Sequence, residues 1–141
     1  MCYVVFLSTS DPGDLTAHNT GLLRFSRELG REPAIDLLLH PFRWFAGSRQ
    51  GCSCGFRHLS APELGFNTPE EWFPEEQEDL QATAEFFAVV QDLMARGHKV
   101  DCVDVWTHTG CDLVRRVEVA TSTLRPGEFR FFENHHFHFA E

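Results

Sequence analysis

The chain is poor in lysine. Lys99 stands beside eleven arginines, and no basic tract forms anywhere. Twelve basic against 21 acidic residues leave a net charge of −9. Such a surface repels phosphate backbones, so a general nucleic-acid binder is not expected. No apolar run approaches the roughly 20 residues a membrane helix needs, and no membrane association is expected. The opening stretch Met1–Ser8 is apolar, but it has no basic flank and no small-residue cleavage site, so it reads as a strand rather than a leader. There is no phosphate-cradling glycine loop, no Gly-x-Ser-x-Gly elbow and no His-Glu-x-x-His. Gly13 and Gly21 are too sparse for a dinucleotide fingerprint, so no nucleotide cofactor is expected.

What is present fits one domain of 141 residues with a core of its own. Hydrophobic residues make up 43% of the chain, and 14 Phe and three Trp supply bulk for packing. Pairs such as Trp44-Phe45 and Trp72-Phe73 read as core rather than as pocket walls.

The pattern along the chain points to α+β: one long helix packed on a mixed, mainly antiparallel sheet of about five or six strands, in two layers. Cys2–Ser8 is rich in β-formers and ends at the turn Ser10-Asp11-Pro12-Gly13. Leu22–Leu29 fits either a strand or a short helix. Ile35–Leu39 is an apolar run closed by His40-Pro41, and Phe42–Ala46 reads as a strand. Thr68-Pro69-Glu70-Glu71 carries the marks of a helix start. Pro74–Arg96 is the clearest helix, with Leu80, Thr83, Phe87, Val90 and Met94 at helical spacing, acids at its start and Gly97 after its end. Val100–Thr107, Leu113–Thr123 and Glu128–Phe139 then read as an antiparallel meander.

Charge is unevenly spread. Nine acids and no Lys or Arg lie between His58 and Ala95, which accounts for the whole net charge. From Leu37 to Pro62 there is no acid, but Arg43, Arg49 and Arg57 are present. Inside that acid-free stretch lies Gly51-Cys52-Ser53-Cys54-Gly55-Phe56-Arg57-His58. Residues i and i+2 of an extended segment face one side, so Cys52 and Cys54 can share a metal. Five cysteines without a leader point to a reducing, cytoplasmic setting, where thiols are free, metal-bound or catalytic.

Three functions follow. The leading one is a transition-metal site for zinc, copper or iron on Cys52 and Cys54, completed by Cys111, His58, His136 or His138. Cys111 lies in the turn His108-Thr109-Gly110-Cys111, and His136-x-His138 is a two-ligand platform on the last strand. The second is a thiol enzyme or redox protein. Cys52 or Cys54 would be its nucleophile, with Arg57 or His58 lowering the thiol pKa. Glu133 with His135 is a further acid/base candidate, and removal of Met1 would make Cys2 an N-terminal nucleophile. The third is an acidic adaptor or inhibitor that docks a basic protein partner through segment 63–92, without catalysis. The sequence does not set the oligomeric state.

Overall fold

The computed structural model describes residues 2–49, 51–59 and 75–141. In chain order the elements are β1 (Tyr3–Thr9), β2 (Leu23–Ser26), β3 (Phe42–Ser48), β4 (His58–Leu59), α1 (Gln77–Ala95), β5 (Val100–Trp106), β6 (Arg115–Ala120), β7 (Phe131–Phe132) and β8 (His135–Ala140). Short 3-10 turns link them, among them Pro33–Leu37 and Ser53–Gly55. Six strands form one sheet in the order β2-β3-β1-β5-β8-β6, and β4 pairs with β7 in a small parallel sheet. The α+β class with one helix on a mainly antiparallel sheet is the fold the sequence predicts.

Strand alternation gives the large sheet two apolar faces. Val5, Leu7, Trp44, Cys102 and Phe137 face the helix side, where Phe86, Phe87, Val90 and Leu93 of α1 meet them in the main core. Phe6, Val103 and Val105 face the other way, under Ala34 and Leu38 of the segment around the Pro33–Leu37 turn. The phenylalanines of the main core are in ring contact. Phe129 stacks on Phe87 at 4.5 Å and meets Phe131 and Phe137 edge-on. Each buried ring contributes about 1.5–3 kcal/mol of transfer free energy.

The helix ends where its C-cap chemistry dictates. His98 N–H donates to the Leu93 carbonyl and Gly97 N–H to that of Met94, both at 3.0 Å, with Gly97 at φ +87°. This is a Schellman cap, and the left-handed conformation is why glycine stands there. At its other end the helix begins at Gln77, after an extended Glu76. The helix start expected at Thr68-Pro69-Glu70-Glu71 lies outside the described residues, as does Trp72-Phe73.

Three sequence expectations change in detail. Leu22–Leu29 resolves as a strand over Leu23–Ser26. The stretch Glu128–Phe139 is two strands, broken at Asn134, whose φ of 58° turns the chain between β7 and β8. The meander is also incorrect. β6 and β8 pair in parallel, and β8 lies between β5 and β6. The reason lies in residues 121–134. They fold back over α1, where Phe129 seats on Phe87, so the chain re-enters the sheet in the direction it left.

Glu75, just ahead of the helix, ties this crossover to the cysteine loop. Its carboxylate accepts from Arg130 Nε at 2.7 Å and from Arg57 Nε at 3.1 Å. Arg57 is 1% exposed, and its backbone N–H donates to Thr83 Oγ1 of α1 at 2.8 Å. Arg130, and after it Arg57, hold the Glu75 carboxyl below the usual range, against an opposing effect of burial. A carboxyl whose pKa is lower folded than unfolded stabilises the fold above the unfolded value, and loses that effect as pH falls through the folded one. Glu75→Gln should therefore lower the thermal midpoint at pH 7 by roughly 5 °C. The gap to wild type should narrow as pH drops below about 4, measured by circular dichroism melts across pH. A gap that stays constant down to pH 2 would contradict the charge origin.

Candidate metal centre

Ser53 fixes the cysteine loop. Its side chain is fully buried; Oγ accepts from Val5 N–H of β1 at 2.9 Å and donates to the Ala46 carbonyl of β3 at 2.7 Å. Ser48 supports the loop from the end of β3. Its backbone N–H and its hydroxyl both donate to the Cys52 carbonyl, at 2.8 and 2.7 Å, and its Oγ accepts from Gly55 N–H at 3.0 Å. A Cβ on residue 55 would stand 2.5 Å from Ser48 Oγ, so only glycine permits this approach. The flanking residues Cys52 and Cys54 are thereby held on a rigid turn over the start of β1.

Cys2 immediately precedes β1, and the turn brings its thiol to the other two. The sulfurs of Cys2, Cys52 and Cys54 all lie within 4.8 Å of one another. Among the described residues this is the one group of three or more His, Cys, Asp or Glu side chains gathered at metal-binding spacing. None of the three is in a disulfide, and Tyr3 N–H donates to Cys54 Sγ at 3.3 Å. Cys2 is exposed and the other two are half-buried, so the cluster opens to solvent on one side. Burial first, with the neighbouring thiols of Cys52 and Cys2 adding to it, pushes the Cys54 thiol up to about 12; the Tyr3 N–H opposes them.

An aromatic wall backs the sulfurs. The Tyr3 ring stacks on His58 at 3.7 Å and on Trp106 at 4.0 Å, and its hydroxyl donates to Glu133 Oε2 at 2.7 Å. Burial and the Glu133 carboxylate push the Tyr3 phenol well above its usual range, so it remains a donor. His58 is buried with both ring nitrogens engaged: Nε2 lies 2.7 Å from the Ser53 carbonyl and Nδ1 2.6 Å from Asp104 Oδ2. A carbonyl only accepts, so Nε2 carries a hydrogen. Nδ1 and Asp104 then share one proton, and the pair is neutral overall wherever that proton sits. Burial above all pushes the Asp104 carboxyl up, against the pull of His58. Asp104 Oδ1 has no hydrogen-bond partner among the described residues, an arrangement less costly for a neutral acid than for a carboxylate.

The other expected site residues lie elsewhere. His58 stands behind the cluster with no lone pair free for a metal. Arg57 turns its guanidinium to Glu75. Cys111 donates its thiol to the Pro33 carbonyl at 3.2 Å, and His108 N–H donates to Glu32. His136 and His138 touch each other on the sheet face opposite the cysteines. Glu133 takes Tyr3 as its partner, while His135 Nδ1 sits 2.9 Å from the Glu133 carbonyl. Cys102 is a fully buried core thiol.

In the acidic segment several charges are engaged within the chain. Glu78 and Asp79 face Arg49, Asp92 pairs with Arg96, and Glu85 accepts from Thr20. Glu63, Glu70 and Glu71 lie outside the described residues.

Sequence reasoning misses Tyr3, Ser53 and Asp104. A signal for Asp104 exists: aspartates are out of place in the strand Val100–Trp106, whose other residues are apolar, and a buried acid there demands a partner. No helix among the described residues is long and apolar enough to cross a membrane. No protein family, curated protein or solved structure matches the chain, so the site rests on its own geometry.

Proposed function

We propose that the protein binds one thiophilic metal ion through Cys2, Cys52 and Cys54. The convergence of three thiols from two separate chain segments supports this reading. Sulfurs that ligate one zinc ion at 2.3 Å stand about 3.8 Å apart in a tetrahedron. The sulfurs here, all within 4.8 Å of one another, stand near that spacing. Three thiolates are soft donors and favour zinc or copper(I) over magnesium or calcium. Cys2 replaces Cys111, His58, His136 and His138 as the third ligand. Three protein ligands on a solvent-open cluster leave a fourth position of zinc for water or a small ligand. Tyr3 N–H, donating to Cys54, would stabilise the thiolate once metal displaces its proton.

The purified protein should carry about one zinc or copper per chain by elemental mass spectrometry. The cobalt-substituted protein should show thiolate-to-metal charge transfer. Cys54→Ser should weaken retention roughly 10- to 100-fold or more, and Cys111→Ser should leave it unchanged. A protein that takes up no metal, or that holds it equally well as Cys52→Ser, would sink the proposal.

The geometry does not favour an activated thiol at Cys54, because burial disfavours the thiolate and the neighbouring thiols of Cys52 and Cys2 add to that effect. A group pushed up in this way stays protonated through neutral pH. In metal-free protein, iodoacetamide should modify Cys54 far more slowly than Cys2 at pH 7. Its labelling rate should still be climbing at pH 10, as read by peptide mass spectrometry. A Cys54 rate that levels off below pH 8 would restore the nucleophile reading.

A further inference from the structure

The sheet face turned away from the cysteines carries a second cluster of polar groups. Asp101 is 1% exposed and collects three partners. The Ser8 hydroxyl donates to Oδ1, Leu39 N–H donates to Oδ2 at 3.1 Å, and His136 Nε2 lies 2.6 Å from Oδ2. Ser8 in turn accepts from His40 N–H at 3.1 Å, so its only proton goes to the carboxylate. His136 Nδ1 then meets His138 Nε2 at 3.1 Å.

With both imidazoles neutral, hydrogen-bond bookkeeping sets their tautomers. The Asp101 carboxylate, already an acceptor, takes the His136 Nε2 hydrogen. In neutral His136 that leaves Nδ1 as an acceptor, and His138 must donate to it from Nε2. The lone pair of His138 therefore sits on Nδ1, which has no partner among the described residues. This is not a hydrolase triad: Ser8 bonds to the carboxylate and not to an imidazole, and it is fully buried. The chain instead runs carboxylate, imidazole, imidazole, and ends at a partly exposed base.

His138 and Asp101 line a cavity of about 270 Å³ together with Lys99, His40, Leu39 and Phe139. Lys99 is the chain's one lysine. The Leu39 side chain, 58% exposed, provides an apolar wall. Among the described residues no trio of metal-binding side chains gathers there, which distinguishes it from the cysteine cluster.

We propose that this cavity is a second binding site, which takes a small oxyanion, carboxylate or phosphate, together with a proton on His138 Nδ1. Lys99 supplies a fixed positive charge, and protonation of His138 makes a second donor facing the ligand. The proton comes from solvent, and the imidazolium it forms is stabilised through His136 by the Asp101 carboxylate. The charged and titratable groups that face His138 are His136 on its own strand, Asp101 on β5, and Arg116 and Glu118 on β6, with Lys99 and His40 across the cavity. Burial above all holds His138 below the usual histidine value. The site does not depend on the metal reading.

The test is a titration of full-length protein, ¹³C-labelled at histidine Cε1, at pH 7. Inorganic phosphate is used in one arm and acetate in the other, with calorimetry in buffers of different ionisation enthalpy. The His138 resonance should move saturably toward imidazolium, with up to one proton taken up per chain. Lys99→Gln should weaken binding roughly tenfold. His138→Phe, a substitution at a half-exposed position, should abolish it as followed on His136. Saturation in one arm only names the oxyanion. Non-saturating shifts in both arms, or binding that His138→Phe leaves intact, would overturn the proposal.

Discussion

Ser53 is the constraint on which the cysteine cluster depends. Its hydroxyl joins the first and third strands, at Val5 and Ala46, and its carbonyl orients His58. The residue has no room to move, since it is fully buried and uses its donor and both kinds of acceptor within the protein. Cys52 and Cys54 lie on either side of it and inherit that rigidity. A loop of glycines and cysteines would otherwise sample many conformations, and ordering it costs about 1–2 kcal/mol per residue in backbone entropy. Folding of the sheet meets that cost before any ligand arrives, which is how a small protein preorganises a site.

The same economy of placement appears in the strand Val100–Trp106. Asp101 and Asp104 are three residues apart on an extended chain, so they point to opposite faces. Each finds a histidine: His136 for Asp101 and His58 for Asp104, both at 2.6 Å. One pair ends in a closed arrangement, because the Ser53 carbonyl takes the second nitrogen of His58. The other continues through His138 to a cavity. A buried Asp–His pair thus holds a wall in place on one face and feeds a proton acceptor on the other. The two clusters are five residues apart along β1, from Tyr3 to Ser8, which is about 17 Å of strand.

Much of this fold is written in local pattern. The helix follows from the spacing of Thr83, Phe87, Val90 and Met94 and from Gly97 beyond its end, and the strands follow from runs of β-formers. Pairing order is not local. The parallel match of Arg115–Ala120 with His135–Ala140 depends on where Phe129 docks, and nothing near either strand encodes that. The site divides in the same way. Cys52 and Cys54 declare themselves through a short spacing between glycines. Cys2 reads as a strand residue or an N-terminal nucleophile, and its place as a third thiol emerges only when β1 and β3 bring the N-terminal end beside the loop. Arg57 and His58, adjacent to the thiols in sequence, turn away from them because Glu75 and Asp104 make better-desolvated partners.

Tyr3 stacks on both His58 and Trp106, and two rings cannot share one face, so the phenol ring lies between them. Its backbone N–H reaches Cys54, so the stack adjoins the sulfurs directly. The indole consequently shares an electronic environment with the cysteine cluster. Heavy-atom contact, thiolate charge or a shift of the ring stack would each alter how its excited state decays. The protein therefore carries an optical reporter of its own beside the place where its chemistry would occur.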